Sequence, residues 1–447
     1  MTTRPAIRPP AAWHAPAPAA STLANGLRVL AFRMPGQYVT SVALVADLPM
    51  TAEPRDREGV GALTAGTLDQ GTATHPGTAF ADAVEACGAI LHAGSGHSHV
   101  AVHLDVPTTH LAPAASLLAE ALADPELADA DVDRHRRLRL AQLEQQRARG
   151  ADRANQVFRH VLIDPALRSQ RLAAGEADTV AAVTGADVRA FHGRFYGPAG
   201  ATLVVAGEVT DADVALLADA LAAWENPRQE RARHEAAAAQ PPRVVLVDRP
   251  GSVQADLRYG WLTVDRTDPR FGALQIAAHA LGGAYLSRLN GVLREEKGYT
   301  YGASLVTAPL RSGGLTYAQG SFRTEVVGDA LRLLPGLVDV TDAPLTLAER
   351  DRASDYLVGV TPLRYATAGG LCESLTSLVA AGLGPDFIDA QLAAWGSVTP
   401  EEATAAAAEL LRPDAATLVV VGDAEALTPQ LAAAGFAAEV VPAGSAL

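Results

Sequence analysis

Cysteine is almost absent from this 447-residue chain, which holds two, Cys87 and Cys372. Two thiols that form no Cys-x-x-Cys pair can build neither a disulfide framework nor a thiolate zinc site. A reducing, cytoplasmic setting is therefore expected, with each cysteine a small core residue. No run of about 18 apolar residues occurs, which excludes a membrane-spanning helix. Basic residues are outnumbered, 36 Lys plus Arg against 50 Asp plus Glu, for a formal charge of -14. Such a surface repels phosphate backbones and anionic lipid, so no nucleic-acid or membrane partner is expected, and basic or extended peptides are favoured. A phosphate-cradling loop is missing too, because Gly94-Ser95-Gly96 has neither the lysine nor the helix such a loop needs. Residues 1–20 are rich in Pro and Ala but lack a basic segment leading into an apolar one. They are expected to form a flexible arm rather than a signal peptide.

What is present is enough to fold. Hydrophobic residues make up 49% and charged ones 19%, a composition that offsets the entropy of ordering. The length exceeds the roughly 250–300 residues one core serves, so two domains are expected, and the sequence repeats itself accordingly. Displaced by 215 residues, Arg28-Val29 falls on Arg243-Val244, Pro35-Gly36 on Pro250-Gly251 and Val183-Thr184 on Val398-Thr399. At the same displacement Pro198 falls on Pro413, Thr202-Leu203-Val204-Val205 on Thr417-Leu418-Val419-Val420, and Gly207-Glu208 on Gly422-Asp423. Each copy opens with short β-branched strands, passes through long helical stretches such as 132–149 and 399–411, and returns to an apolar strand, the pattern of an α+β domain. Residues 225–242 are dense in charge, Ala and Pro without apolar periodicity and read as the linker. The expected domains are then 21–224 and 243–447.

The most specific segment is Leu281-Gly-Gly-Ala-Tyr-Leu-Ser-Arg-Leu-Asn-Gly-Val-Leu-Arg-Glu-Glu-Lys-Gly-Tyr-Thr-Tyr301. It resembles the second-domain signature of the pitrilysin-like, or insulinase-type, zinc peptidases (family M16). The resemblance implies two homologous LuxS/metallohydrolase-like α/β domains forming a clam-like half-chamber. It also implies that Arg294 and Tyr301 hold substrate backbone near a metal. A guanidinium offers fixed donors to carbonyls or an oxyanion, and a phenol can donate as charge develops on a scissile carbonyl, so both residue types suit amide hydrolysis.

In the first domain the family carries a helix reading His-x-x-Glu-His between a glycine and a Gly-Thr pair. Gly59 to Thr72 matches that frame, but Ala62 and Gly66 stand at the two histidine positions and Ala65 at the glutamate position. A methyl group or a bare Cα cannot coordinate zinc, and without the carboxylate no base activates water. The family's third ligand, a later glutamate, aligns with Gln142 or Glu144, and one carboxylate cannot hold a metal alone. No metal is expected in this chain. His97, His99 and His103 share parity in the strand-like stretch 95–106 and so should share one face. His97 and His103 would nevertheless lie about 20 Å apart at roughly 3.3 Å per residue, too far for one ion, so at best His97 and His99 pair and a solvent-facing or cleft-lining row is expected. His75 and His92 read as isolated.

The resemblance implies a non-catalytic, M16B-type substrate-binding subunit that pairs with a zinc-bearing homologous chain in a heterodimer. The rivals are a structural subunit of the kind found in respiratory complexes and a peptide-binding homodimer without proteolysis.

Overall fold

The apolar runs of the sequence become strands of two six-stranded sheets. The computed structural model describes residues 13–444. The first sheet comprises β1 (Ala19–Thr22), β2 (Arg28–Arg33), β3 (Val39–Ala46), β4 (Ile90–Ser95), β5 (Val100–Pro107) and β6 (Ala201–Gly207), in the order β1-β2-β6-β3-β5-β4. The second comprises β7 (Val244–Asp248), β8 (Gln254–Thr263), β9 (Ala303–Pro309), β10 (Gly314–Arg323), β11 (Thr417–Gly422) and β12 (Glu439–Val441), in the order β12-β7-β11-β8-β10-β9. Helices flank both, giving a two-domain mixed α/β fold. Among the described residues no helix is long and apolar enough to cross a membrane.

The repeat seen in the sequence is a repeat of hydrogen bonds. Val29 pairs with Leu203 in parallel, and 215 residues on Val244 pairs with Leu418 in the same sense. Thr184 caps the helix Gly185–Phe195 in a capping box with Asp187, and Thr399 caps Pro400–Leu410 with Glu402 in the same way. Glu208 accepts the Gly36 N–H at 3.1 Å, while Asp423 accepts that of Gly251 at 2.7 Å. The acid that closes each apolar strand thus secures the Pro-Gly turn of its neighbour. Only the outer edges differ: β1 adds antiparallel to β2, whereas β12 adds parallel to β7.

Each sheet is covered on one face by helices of its own half and on the other by a helix of the opposite half. The helix Gly150–Leu162 lays Ala154, Val157, Phe158 and Val161 on Val245, Val247, Val419 and Val421 of the second sheet. Reciprocally, Ala368–Ala380 lays Ala368, Leu371, Cys372 and Leu375 on Leu30, Phe32, Ala43, Val204 and Ala206 of the first. Burial on both faces explains why β6 and β11 read as continuous apolar runs rather than alternating ones. Both cysteines are free and buried.

The two connections are held more tightly than their composition suggests. Of the arm expected over 1–20, residues 1–12 lie outside the described ones. The rest is tied down: Trp13 stacks on Tyr365 with ring centroids 5.6 Å apart, Ala15 N–H donates to Asp389 at 3.0 Å, and β1 begins at Ala19. Along 225–242, His234 and Arg231 bind Asp47 at 2.6 and 2.7 Å, and Glu235 accepts the backbone N–H groups of Arg168 and Ser169. A stretch without apolar periodicity is therefore docked by charge.

Candidate functional site

The frame resembling a zinc motif forms the helix Val60–Thr67. Its cap residue, Gly59, has φ of 101°, and a Cβ there would come within 2.8 Å of Val180 and 2.9 Å of the Ala174 carbonyl, so only glycine fits. The fully buried Glu53 accepts the N–H groups of Gly59 and Gly61 at 3.1 and 2.9 Å, satisfying the first turn of the helix. Arg168 holds the other oxygen of Glu53 at 2.7 and 3.0 Å, and also donates to the carbonyls of Leu172 and Ala173. Arg171 grips the neighbouring buried Glu58. The helix is thus secured by internal ion pairs.

At the substituted positions, Ala65, in the place of the glutamate, is fully buried, and the Nδ1 of His135 lies 3.2 Å from where a Cβ on Gly66 would sit. An imidazole of the chain's own thus crowds any side chain placed at the second histidine position. Gln142 and Glu144 are exposed on the helix Asp129–Ala148 while Leu143 between them is buried. The residues present do not fit zinc, and among the described residues no group of three or more His, Cys, Asp or Glu could hold a metal ion.

The histidine row is not one row. A turn at 96–99 interrupts the stretch expected to run from 95 to 106, because the Gly96 N–H closes on the His99 carbonyl at 2.8 Å and the chain reverses from β4 into β5. His97 leaves the common face and its Nε2 meets the Arg171 carbonyl at 3.0 Å. His103 stacks instead on His92 across the strands, centroids 5.0 Å apart. His92 is therefore not isolated, nor is His75, whose Nδ1 lies 2.8 Å from Glu120. Burial depresses the basicity of His97, His99 and His103, holding them neutral.

The segment Leu281–Tyr301 is irregular in a particular way: two wide, π-type helical turns, His279–Gly283 and Gly291–Glu296, flank a short α-helical turn capped by Ser287. Such turns re-aim side chains that a regular helix would bury. Gly282 lies against β9, where a Cβ would come within 2.4 Å of the Leu305 nitrogen, so the Gly-Gly step allows the turn to touch the sheet. The two arginines of the segment have different surroundings. Arg288 is mostly buried in a bidentate pair with Glu349 at 2.7 and 2.9 Å, and donates to the carbonyls of Ala343 and Pro344. Those bonds hold the Glu349 carboxyl down at about 2.

Arg294 is turned outward. Its guanidinium lies 4.0 Å over the ring of Tyr285, donates to the Tyr285 hydroxyl and sits 3.2 Å from Glu295. Tyr301 is 93% exposed, with Tyr285 at 64% and Leu286 at 72%. Arg294 and Tyr285 together offer a cation and a phenol able to take a peptide backbone or side chain. Arg294 and Tyr301 are not hydrogen-bonded to one another. Tyr285, the group that touches Arg294, was missed in the sequence because it falls at an unremarkable position between the Gly-Gly step and Ser287.

Two family models match the chain: Insulinase (Peptidase family M16) over residues 28–179 and Peptidase M16 inactive domain over residues 182–354. A Streptomyces coelicolor protein named an uncharacterized zinc protease is 27% identical over 421 residues, covering 91% of this chain and 90% of its own length. Among solved structures, a peptidase M16 inactive domain from Pseudomonas fluorescens superposes with a TM-score of 0.84 at 22% identity, covering 91% of this chain and 98% of that one. A chain of complex III2 from Candida albicans gives 0.77 at 14% identity, covering 94% of this chain and all of that one.

Proposed function

The chain belongs to the insulinase-like peptidase family M16, and from that premise we propose that it is the non-catalytic, substrate-binding subunit of an M16B-type heterodimeric zinc peptidase. The observation that carries this reading is the contrast between the two halves. The first half has alanine and glycine at the ligand and base positions with the His135 ring against Gly66, and the second has Arg294 over Tyr285 and a fully exposed Tyr301. In the assembled enzyme a zinc-bearing homologous subunit supplies the metal. Arg294 and Tyr301 of this chain orient the peptide and donate to charge developing on the scissile carbonyl. Two free, buried cysteines suit a cytoplasmic setting for the pair.

The test is reconstitution with a zinc-bearing homologue encoded beside this chain. Mixing should create peptidase activity that neither chain has alone, tracking a one-to-one complex. Arg294→Ala or Tyr301→Phe should then lower kcat/KM by about 10²-fold with assembly unchanged, the usual scale for an oxyanion donor. The double variant should be little worse than the poorer single one, because both serve one transition state. Wild-type kinetics from both single variants in an intact complex would leave the reading without support.

A second reading, a structural subunit, draws on the likeness of backbone to the Candida albicans complex III2 chain. It requires a stable assembly whose properties are indifferent to Arg294 and Tyr301.

A further inference from the structure

A cavity of about 610 Å³ opens where the exchanged helix Ala368–Ala380 leaves the second domain, between the helices Phe271–Ala278 and Asp386–Ser397 and the outer end of β9. Its size is that of a small-molecule site, and none of Tyr285, Arg294 and Tyr301 lines it.

Two of its wall groups are not satisfied by the protein. Arg266, half-buried, donates from Nη1 to the Ser377 carbonyl at 3.1 Å and from Nη2 to the Ser377 hydroxyl at 2.9 Å. That leaves Nε and one proton on each terminal nitrogen. Among the described residues no carboxylate lies within ion-pair distance of it, and burial lowers its basicity. The Thr307 Oγ1 is buried and has no hydrogen-bond partner. The free N–H groups of Arg266 face the cavity and can take up an anion, and a buried hydroxyl without a partner costs free energy that a ligand can relieve. The rest of the wall is mixed: Arg364, Glu373 and Gln391 give it further polar groups, and Phe271, Pro309, Leu378 and Trp395 an apolar part.

We propose that this cavity is a binding site for a small carboxylate with an apolar body, its carboxylate held by Arg266 and the Thr307 hydroxyl and its hydrocarbon laid on Phe271, Pro309, Leu378 and Trp395. A guanidinium fork matches a carboxylate in two parallel hydrogen bonds, which is why the acid group is assigned to Arg266. The exchanged helix forms one wall and also covers the first sheet, so the bound state ties the two halves together and raises stability by mass action. This site is independent of the role given to Arg294.

Isothermal titration of the full chain with 3-phenylpropionate tests it, with 3-phenylpropionamide, acetate and inorganic phosphate as comparisons. One saturable site for the acid is expected, with the amide, acetate and phosphate each weaker by about tenfold or more, the scale expected when either the charge or the hydrocarbon is missing. Arg266→Gln should weaken the acid to the level of the amide. Thr307→Val, which keeps the side chain's shape, should weaken it several-fold with no change in the unfolding midpoint. Absence of saturable binding of the acid up to about 10 mM, where affinity is no longer specific, would overturn the proposal. So would equal binding of acid and amide, equal binding of phosphate, or a folded Arg266→Gln chain that binds as the wild type does.

Discussion

Replacing Glu349 by Gln separates the work of the two signature arginines. Arg288 fixes Glu349 through two hydrogen bonds of 2.7 and 2.9 Å, with both side chains more than four-fifths buried. The carboxyl is held at about 2 against an ordinary 4.5. At about 1.4 kcal/mol per pKa unit, that difference sets a ceiling of about 3 kcal/mol on what ionised Glu349 contributes at neutral pH. Because the folded value lies below the unfolded one, the contribution is complete above pH about 4.5 and disappears as the pH falls toward 2. Urea unfolding of the wild type and Glu349→Gln, followed by tryptophan fluorescence from pH 7 to pH 3, should show a gap of about 2–3 kcal/mol at neutral pH that closes progressively below 4.5. A gap that stays constant over this range would refute the assignment, since a loss of packing does not titrate. Arg294→Gln on the same assay should change stability by no more than about 1 kcal/mol, because its partners Tyr285 and Glu295 are themselves exposed.

Other outcomes follow from the same structure. The purified chain should carry no stoichiometric zinc, and restoring single ligands by Ala62→His or Gly66→His should not create a site, because the His135 ring stands against Gly66; elemental analysis reads both. Leu375→Ala removes a fully buried side chain from the exchanged helix and should cost about 2–5 kcal/mol by denaturant unfolding. Gly59→Ala, at φ of 101° and against Val180 and the Ala174 carbonyl, should destabilise by more than about 1 kcal/mol on the same assay.

The parts of this molecule visible in the sequence are those set by local hydrogen bonds. Val183-Thr184 and Val398-Thr399 are helix caps, Glu208 and Asp423 secure Pro-Gly turns, and each needs only near neighbours or one adjacent strand. The repeat could therefore be seen without any structure. The destination of the two exchanged helices could not. Periodicity shows that Gly150–Leu162 has an apolar face, but nothing in its residues says which sheet that face meets. The histidine row failed for a related reason: parity was counted along one strand, while Gly96 reverses the chain inside it. At the candidate site, Arg294 and Tyr301 are singled out by a spaced motif alone. Tyr285 and His135 are not, because each acquires its partner only when turns and helices pack.

The exchange of helices also sets a timetable for synthesis. All six strands of the first sheet have been synthesised once Gly207 is added, yet the helix that covers the face bearing Leu30, Phe32, Ala43, Val204 and Ala206 begins only at Ala368. At roughly 5–20 residues per second, the intervening stretch takes on the order of 10–30 s to translate. During that interval the nascent sheet carries an uncovered apolar face, a surface to which trigger-type chaperones or another nascent copy can bind. Slow translation between Gly207 and Ala368 should therefore lower the yield of folded chain, whereas pauses after Ala380 should not.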